Sequence, residues 1–175
     1  ELKNKDGMLV ATLAKSDVTE YLKLGARPEE RITYKSADGK WDLYGRISYP
    51  SNFDPSKKYP VLVTTYNGPD SSPFNESFSL STDLSELGFL VCSFESRGGG
   101  NRGREFNNAA YMKLGTVEID DIAAGVRELG KRPYVRADRV GIFGTSYGGY
   151  SSAMCLLRYP DLFAAASSSS PVTDW

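Results

Sequence analysis

The chain has no histidine. Imidazole is the usual base for a serine nucleophile and a frequent metal ligand, so these 175 residues cannot by themselves supply a Ser–His pair. Cysteine is almost as scarce. Cys92 and Cys155 are the two present, one in an apolar run and one in a helical segment. No pair stands at metal-binding spacing, so both read as buried free thiols and no zinc or other metal site is expected. Charge of one sign is not in excess either: 21 Lys and Arg face 22 Asp and Glu, a formal net charge of −1. That balance gives no basic field for nucleic acid or an anionic lipid surface. No apolar run approaches the roughly 20 residues that a membrane-spanning helix needs. The opening Glu1-Leu2-Lys3-Asn4-Lys5-Asp6 lacks the form of a signal peptide, and none of this points to a compartment. With 40% hydrophobic and 25% charged residues, the chain has the composition of one well-buried globular domain.

Its most informative stretch is Gly144-Thr145-Ser146-Tyr147-Gly148-Gly149-Tyr150. Before it, Arg139-Val140-Gly141-Ile142-Phe143 is short and β-prone. After it, Ser151 to Arg158 reads as a helix stopped near Pro160. Strand, tight turn and helix, with glycine two residues either side of a serine, are what a nucleophile elbow requires. The bland alternative is an ordinary strand-to-helix turn. The elbow reading makes Ser146 a nucleophile facing the free N–H groups of a helix N-terminus.

Elsewhere the pattern alternates strands and helices. Met8 to Leu13 is a strand or docking segment, and Asp17 to Leu22 a helical turn ended at Gly25. Arg31 to Lys35 and Trp41 to Tyr49 alternate around Ala37-Asp38-Gly39-Lys40, which makes a hairpin. Tyr59 to Tyr66 and Phe89 to Phe94 are buried strands, with a helical segment expected at Ser81 to Leu87 between them. Gly98-Gly99-Gly100 invites a phosphate-loop reading, but no Gly-Lys-Ser/Thr follows. Thr116 to Lys131 is the clearest helix, with Ile119, Ile122, Val126 and Leu129 on one stripe and Thr116 as cap. Glu118, Asp120 and Asp121 read as dipole-favoured, solvated acids rather than metal ligands. Leu162 to Ser170 is expected as a tightly packed small-residue strand. The fold class is therefore α/β, mostly parallel sheet with flanking helices, and its catalytic groups should gather at strand carboxyl ends. Tyr66, the Glu95 loop, Ser146 and Val172 to Trp175 lie there.

Five stretches now carry a resemblance: Tyr66-Asn67-Gly68-Pro69, Ser96-Arg97-Gly98-Gly99-Gly100, Leu114-Gly115-Thr116-Val117-Glu118-Ile119-Asp120-Asp121, the Ser146 elbow, and Ser170-Pro171-Val172-Thr173-Asp174-Trp175. In order and spacing they resemble the prolyl oligopeptidase family of serine peptidases, most closely its dipeptidyl peptidase IV branch, from about Glu29 to Trp175. The resemblance implies an α/β-hydrolase catalytic domain, here its first two-thirds. Residues 1–28 become a lead-in from an upstream domain, a β-propeller in full-length relatives. Ser146 would be the nucleophile. The Tyr147 N–H and the Tyr66 phenol would form the oxyanion hole. Tyr147, Val172 and Trp175 would line a pocket for proline.

No cofactor is implied. The implied partners are a peptide substrate, the rest of the catalytic domain and the propeller, with a homo-oligomer left open. Thr145 departs from the branch, which has Trp there. The family's Asp and His fall after residue 175, so the chain alone is expected to be inactive. Asp174 has no histidine to orient. Tyr66 as a strand-end packing aromatic, and Trp175 as a core residue, remain open alternatives. At the level of function, a carboxylesterase and a non-catalytic hydrolase-fold scaffold do too.

Overall fold

The alternating apolar positions of the hairpin segments put Ile32, Tyr34, Leu43 and Ile47 on one buried face. They begin a six-stranded sheet in a computed structural model that describes residues 1–74 and 83–174. Ahead of it, β1 (Leu2–Lys3) and β2 (Leu9–Ala11) form a small antiparallel ribbon, followed by a short helix α1 (Thr19–Lys23). Leu2, Met8, Leu9, Val10 and Leu13 are exposed and α1 buries nothing, so this opening has no core of its own.

The main sheet comprises β3 (Glu30–Lys35), β4 (Asp42–Ser48), β5 (Tyr59–Thr64), β6 (Leu90–Phe94), β7 (Val135–Thr145) and β8 (Ala165–Ser169). Their order across the sheet is β3-β4-β6-β5-β7-β8. β3 and β4 pair antiparallel, with Tyr34 opposite Leu43, around a turn in which Gly39 has φ of 75°. β4 is antiparallel to β6, while β5, β6, β7 and β8 all run parallel. β6 lies on one side of β5 and β7 on the other, which creates a topological switch beside β5.

Two main helices flank the sheet, α3 (Val117–Leu129) and α4 (Tyr147–Arg158), with a short α2 (Arg104–Asn107) before them. The apolar stripe of α3 is fully sequestered: Ile119, Ile122, Val126 and Leu129 are each no more than 2% exposed. Burying four such side chains is worth about 1.5–3 kcal/mol each against leaving them in water. Cys92 and Cys155 are buried free thiols, and burial pushes both thiol pKa values up. No helix among the described residues is long and apolar enough to cross a membrane.

The helical segment expected between β5 and β6 is a 3-10 helix over Asp83–Leu87, and the start of that segment lies outside the described residues. Three local expectations need correction. Thr116 does not cap α3; its hydroxyl donates instead to the Lys113 carbonyl. β8 is an edge strand, exposed along most of its length, because only β7 pairs with it among the described strands. Most consequentially, the acids opening α3 are not a solvated face. Glu118 is 1% and Asp121 0% exposed, and both are held by donors from other elements.

Candidate active site

Because β5 through β8 are parallel, their carboxyl ends open on one side of the molecule. β5 ends at Thr64 and runs directly into Tyr66. β7 ends at Thr145, one residue before Ser146, and the segment after β8 holds Val172. Ser146 and Tyr66 thus flank the switch point, where ligands of open α/β sheets bind.

Ser146 has φ 60° and ψ −122°, a left-handed conformation that a residue with a Cβ rarely adopts. The surroundings hold it there. Its N–H donates to the Ser169 carbonyl at 2.9 Å, and its own carbonyl accepts the first α4 bond from Tyr150 at 3.1 Å. Ser146 itself is exposed, so its Oγ is presented rather than packed.

The flanking glycines are a matter of space. A Cβ on Gly144 would meet the Thr65 carbonyl oxygen at 2.3 Å and the Gly148 carbonyl at 2.6 Å. On Gly148 it would meet the same Thr65 oxygen at 2.2 Å and Tyr66 Cα at 3.1 Å. The elbow therefore lies directly on the backbone that carries Tyr66, with no room for a methyl group between them.

Tyr66 is 52% exposed, so its ring is not packed into the sheet as an ordinary strand-end aromatic would be. Its ring centroid stands 6.3 Å from that of Tyr147. The turn behind it is fixed by Asn67, at φ 53°, a conformation asparagine tolerates better than most residues. The Asn67 amide donates to the Phe94 carbonyl at 3.0 Å and Ser96 Oγ at 2.7 Å, and its oxygen accepts from Thr65 Oγ1 at 2.7 Å. One side chain thus ties the ends of β5 and β6 together. In the sequence Asn67 stands out only within the Tyr66-Asn67-Gly68-Pro69 stretch, and an asparagine beside Gly-Pro where a strand must turn is the signal available.

Tyr147 is the first residue of α4, where main-chain N–H groups have no acceptor within the helix. Its side chain turns inward, 3% exposed, and packs edge-on against Tyr150 with ring centroids 5.4 Å apart. Its phenol donates to Glu118 Oε1 at 2.7 Å. Desolvation, then that hydrogen bond, hold its pKa well above the ordinary phenol value, so it stays a donor. Val172 is 44% exposed, and Trp175 lies outside the described residues.

Beside the site, the Gly98–Gly100 loop is not a phosphate cradle. Its N–H groups donate to the protein's own carbonyls, of Phe106 at 2.9 Å, Ser96 at 3.4 Å and Ser71 at 3.0 Å. Arg97, which precedes it, is clamped by Asp121 through Nε at 2.8 Å and Nη2 at 2.9 Å. Glu95 is buried, and desolvation pushes its carboxyl pKa up against the opposing pull of Arg102. Among the described residues no group of three or more acids, cysteines and histidines is placed to hold a metal ion.

A mostly parallel sheet with flanking helices and a serine on a left-handed strand-to-helix turn at its carboxyl edge defines an α/β hydrolase. The comparisons then narrow the class. Residues 76–175 match the model of the prolyl oligopeptidase family. The chain is 39% identical over 155 residues to dipeptidyl peptidase 8 of Homo sapiens, covering 85% of this chain and 17% of that protein. It is 33% identical over 175 residues to dipeptidyl peptidase 4 of Bos taurus, covering 98% and 23%. The crystal structure of Porphyromonas gingivalis dipeptidyl peptidase 4 superposes with a TM-score of 0.82 at 36% identity, over 98% of this chain and 25% of that one. The chain belongs to the prolyl oligopeptidase family, a family of serine peptidases. It spans a quarter or less of the length of these relatives.

Proposed function

We propose that this chain is the nucleophile-bearing part of a serine peptidase catalytic domain that releases N-terminal dipeptides after proline or alanine. Ser146 Oγ attacks the peptide carbonyl, the amine leaves, and water hydrolyses the acyl-enzyme. The oxyanion is held by the Tyr147 N–H and the Tyr66 phenol, with Tyr147, Val172 and Trp175 lining the pocket for the proline or alanine side chain. No cofactor enters the reaction. The general base and its orienting acid come from chain outside these 175 residues, since no histidine is among them. Residues 1–28 lead in from an upstream domain, and residues 29–175 belong to the hydrolase domain.

One observation carries the reading. The strained, exposed Ser146 is flanked by Gly144 and Gly148, which sit against the Thr65 and Tyr66 backbone with no space for a Cβ, so the serine turn and the backbone that carries the phenol are fixed relative to each other. Positioned donors of this kind stabilise charge without reorganising at the moment of reaction.

The test uses the full-length protein with Xaa-Pro and Xaa-Ala dipeptide amides, simple acyl esters and a fluorophosphonate probe. Turnover of the dipeptide amides and labelling, both abolished by Ser146→Ala, are expected. Ester turnover without amide turnover would make it a carboxylesterase. Neither turnover nor labelling would make it a scaffold.

A further inference from the structure

The three acids that open α3 each reach a different element. Asp121 holds Arg97 and the Ala37 N–H of the β3–β4 turn. Asp120 accepts from Tyr159 at 2.6 Å and pairs with Arg158 at 2.8 Å, at the far end of α4. Glu118 alone turns toward the nucleophile elbow. Its Oε1 accepts both the Gly115 N–H and the Tyr147 phenol, while its Oε2 is buried with no hydrogen-bond partner among the described residues.

That arrangement is a poor way to stabilise a core. A buried carboxylate with one bare oxygen bears a desolvation cost that an apolar side chain of similar size would not. What it supplies is directional: a fixed acceptor for the one polar atom of the Tyr147 ring. The ring has two soft torsions, and the Glu118 contact fixes its far end, while helix α4 fixes its near end. Tyr147 is the residue whose N–H and ring both serve the proposed chemistry, so an error in its placement is felt twice.

We infer that Glu118 is a positioning residue: through the Tyr147 phenol it sets the oxyanion donor and the wall of the proline pocket. The inference rests on the serine-peptidase reading above for what Tyr147 does, and on the geometry alone for how it is held. Glu118 touches no substrate. Its effect on the site passes through the Tyr147 hydrogen bond, so removing either partner should have the same consequence for the site, while the Gly115 N–H that Glu118 also accepts bears on folding. Misplacing a catalytic group by about 1 Å costs on the order of 10²-fold in rate, which bounds the effect at roughly 10–100-fold.

The experiment is a double-mutant cycle in the full-length protein with Glu118→Leu, Tyr147→Phe and the pair combined, plus Glu118→Gln as the conservative variant. Two rates are read: kcat/KM for Xaa-Pro against Xaa-Ala dipeptide amides, and labelling of Ser146 by a fluorophosphonate. Both single variants should slow both rates about 10–100-fold and lower the Pro to Ala ratio. The double variant should be no worse than either, and Glu118→Gln, which keeps an acceptor oxygen, should recover most of the loss. Tyr147→Phe removes one atom and keeps the ring, so it decides the matter even if Glu118→Leu does not fold. Unchanged rates in Tyr147→Phe, or additive losses in the double variant, would overturn the inference. If wild-type protein labels but does not cleave dipeptide amides, the peptidase reading falls while the labelling cycle still judges Glu118. If it does neither, both fall.

Discussion

Asp121 offers the sharpest test of how the site is supported. Its carboxylate is fully buried and accepts four hydrogen bonds. Oδ1 takes the Ala37 N–H at 2.8 Å and Arg97 Nη2 at 2.9 Å; Oδ2 takes the Arg97 N–H at 2.9 Å and Nε at 2.8 Å. Asp121→Asn keeps the size of the side chain but turns one oxygen into an N–H₂ group. In either amide orientation that group faces two donors, so two bonds are lost and the Arg97 charge loses its buried partner. Leaving a buried charge uncompensated costs about 3–5 kcal/mol. Asp38 also contacts Arg97, at 2.6 Å, but its side chain is 34% exposed, and a pair of that kind is worth about 0–1 kcal/mol. The expected order is therefore a large loss for Asp121→Asn and a small one for Asp38→Asn. Urea unfolding of the full-length protein, read by hydrogen exchange of peptides covering α3 and β6, reports on this domain whatever else the protein contains. A loss below about 1 kcal/mol in Asp121→Asn, or equal losses in both variants, would refute the reasoning.

Three further outcomes are expected. Tyr66→Phe in the full-length protein should lower kcat roughly 10²–10³-fold with little change in KM, as the loss of one oxyanion donor does; unchanged kcat on the best dipeptide amide would remove Tyr66 from that role. The Arg132 hydrogen bond holds the Glu30 carboxyl below its ordinary pKa, so Glu30 contributes stability above its unfolded pKa of about 4.3 that is lost as pH falls through the folded value. The urea midpoint should accordingly fall less steeply with acid in Glu30→Gln than in wild type, and identical acid profiles would exclude the pair from acid unfolding. The 175-residue chain by itself, lacking histidine, should turn over dipeptide amides many orders more slowly than the full-length protein, retaining at most the roughly 10³–10⁴-fold over water of triad-deleted enzymes; steady turnover abolished by Ser146→Ala would demand another base.

What the sequence showed and what it hid divide along locality. The β3–β4 hairpin, the stripe of α3 and the elbow glycines were legible because period, turn chemistry and steric need all act within a few residues. The acids of α3 were misread for the same reason. An acid in the first turn of a helix has a sufficient local explanation in the macrodipole, and nothing nearby hints that its partner is remote. Glu118 meets Tyr147, 29 positions on, and Asp121 meets Ala37, 84 positions back. Asn67 was hidden differently: its turn-forming role was visible, but its amide bridge to Phe94 and Ser96 exists only once β5 and β6 lie side by side.

These remote contacts share a location. Asn67, Arg97, Glu118, Asp121 and Ser151 are all at least 91% buried, and all sit near the carboxyl ends of the sheet or the helix starts beside them. Hydrogen bonds in such a low-dielectric layer are strong and directional, and leaving one unmade is costly, so the layer admits few arrangements. The apolar layer beneath, from Val61 and Val63 through Ile119, Ile122, Val126 and Leu129, supplies the cohesion that offsets its desolvation. Apolar packing tolerates a shift of a few tenths of an ångström, whereas a network in which the Asn67 amide meets the Phe94 carbonyl and Ser96 Oγ, and Asp121 meets the Arg97 N–H and Nε, does so far less. The division follows from what each end of the sheet must do. One end needs only to hold, and the end bearing Ser146 needs to hold a strained backbone in register with Tyr66.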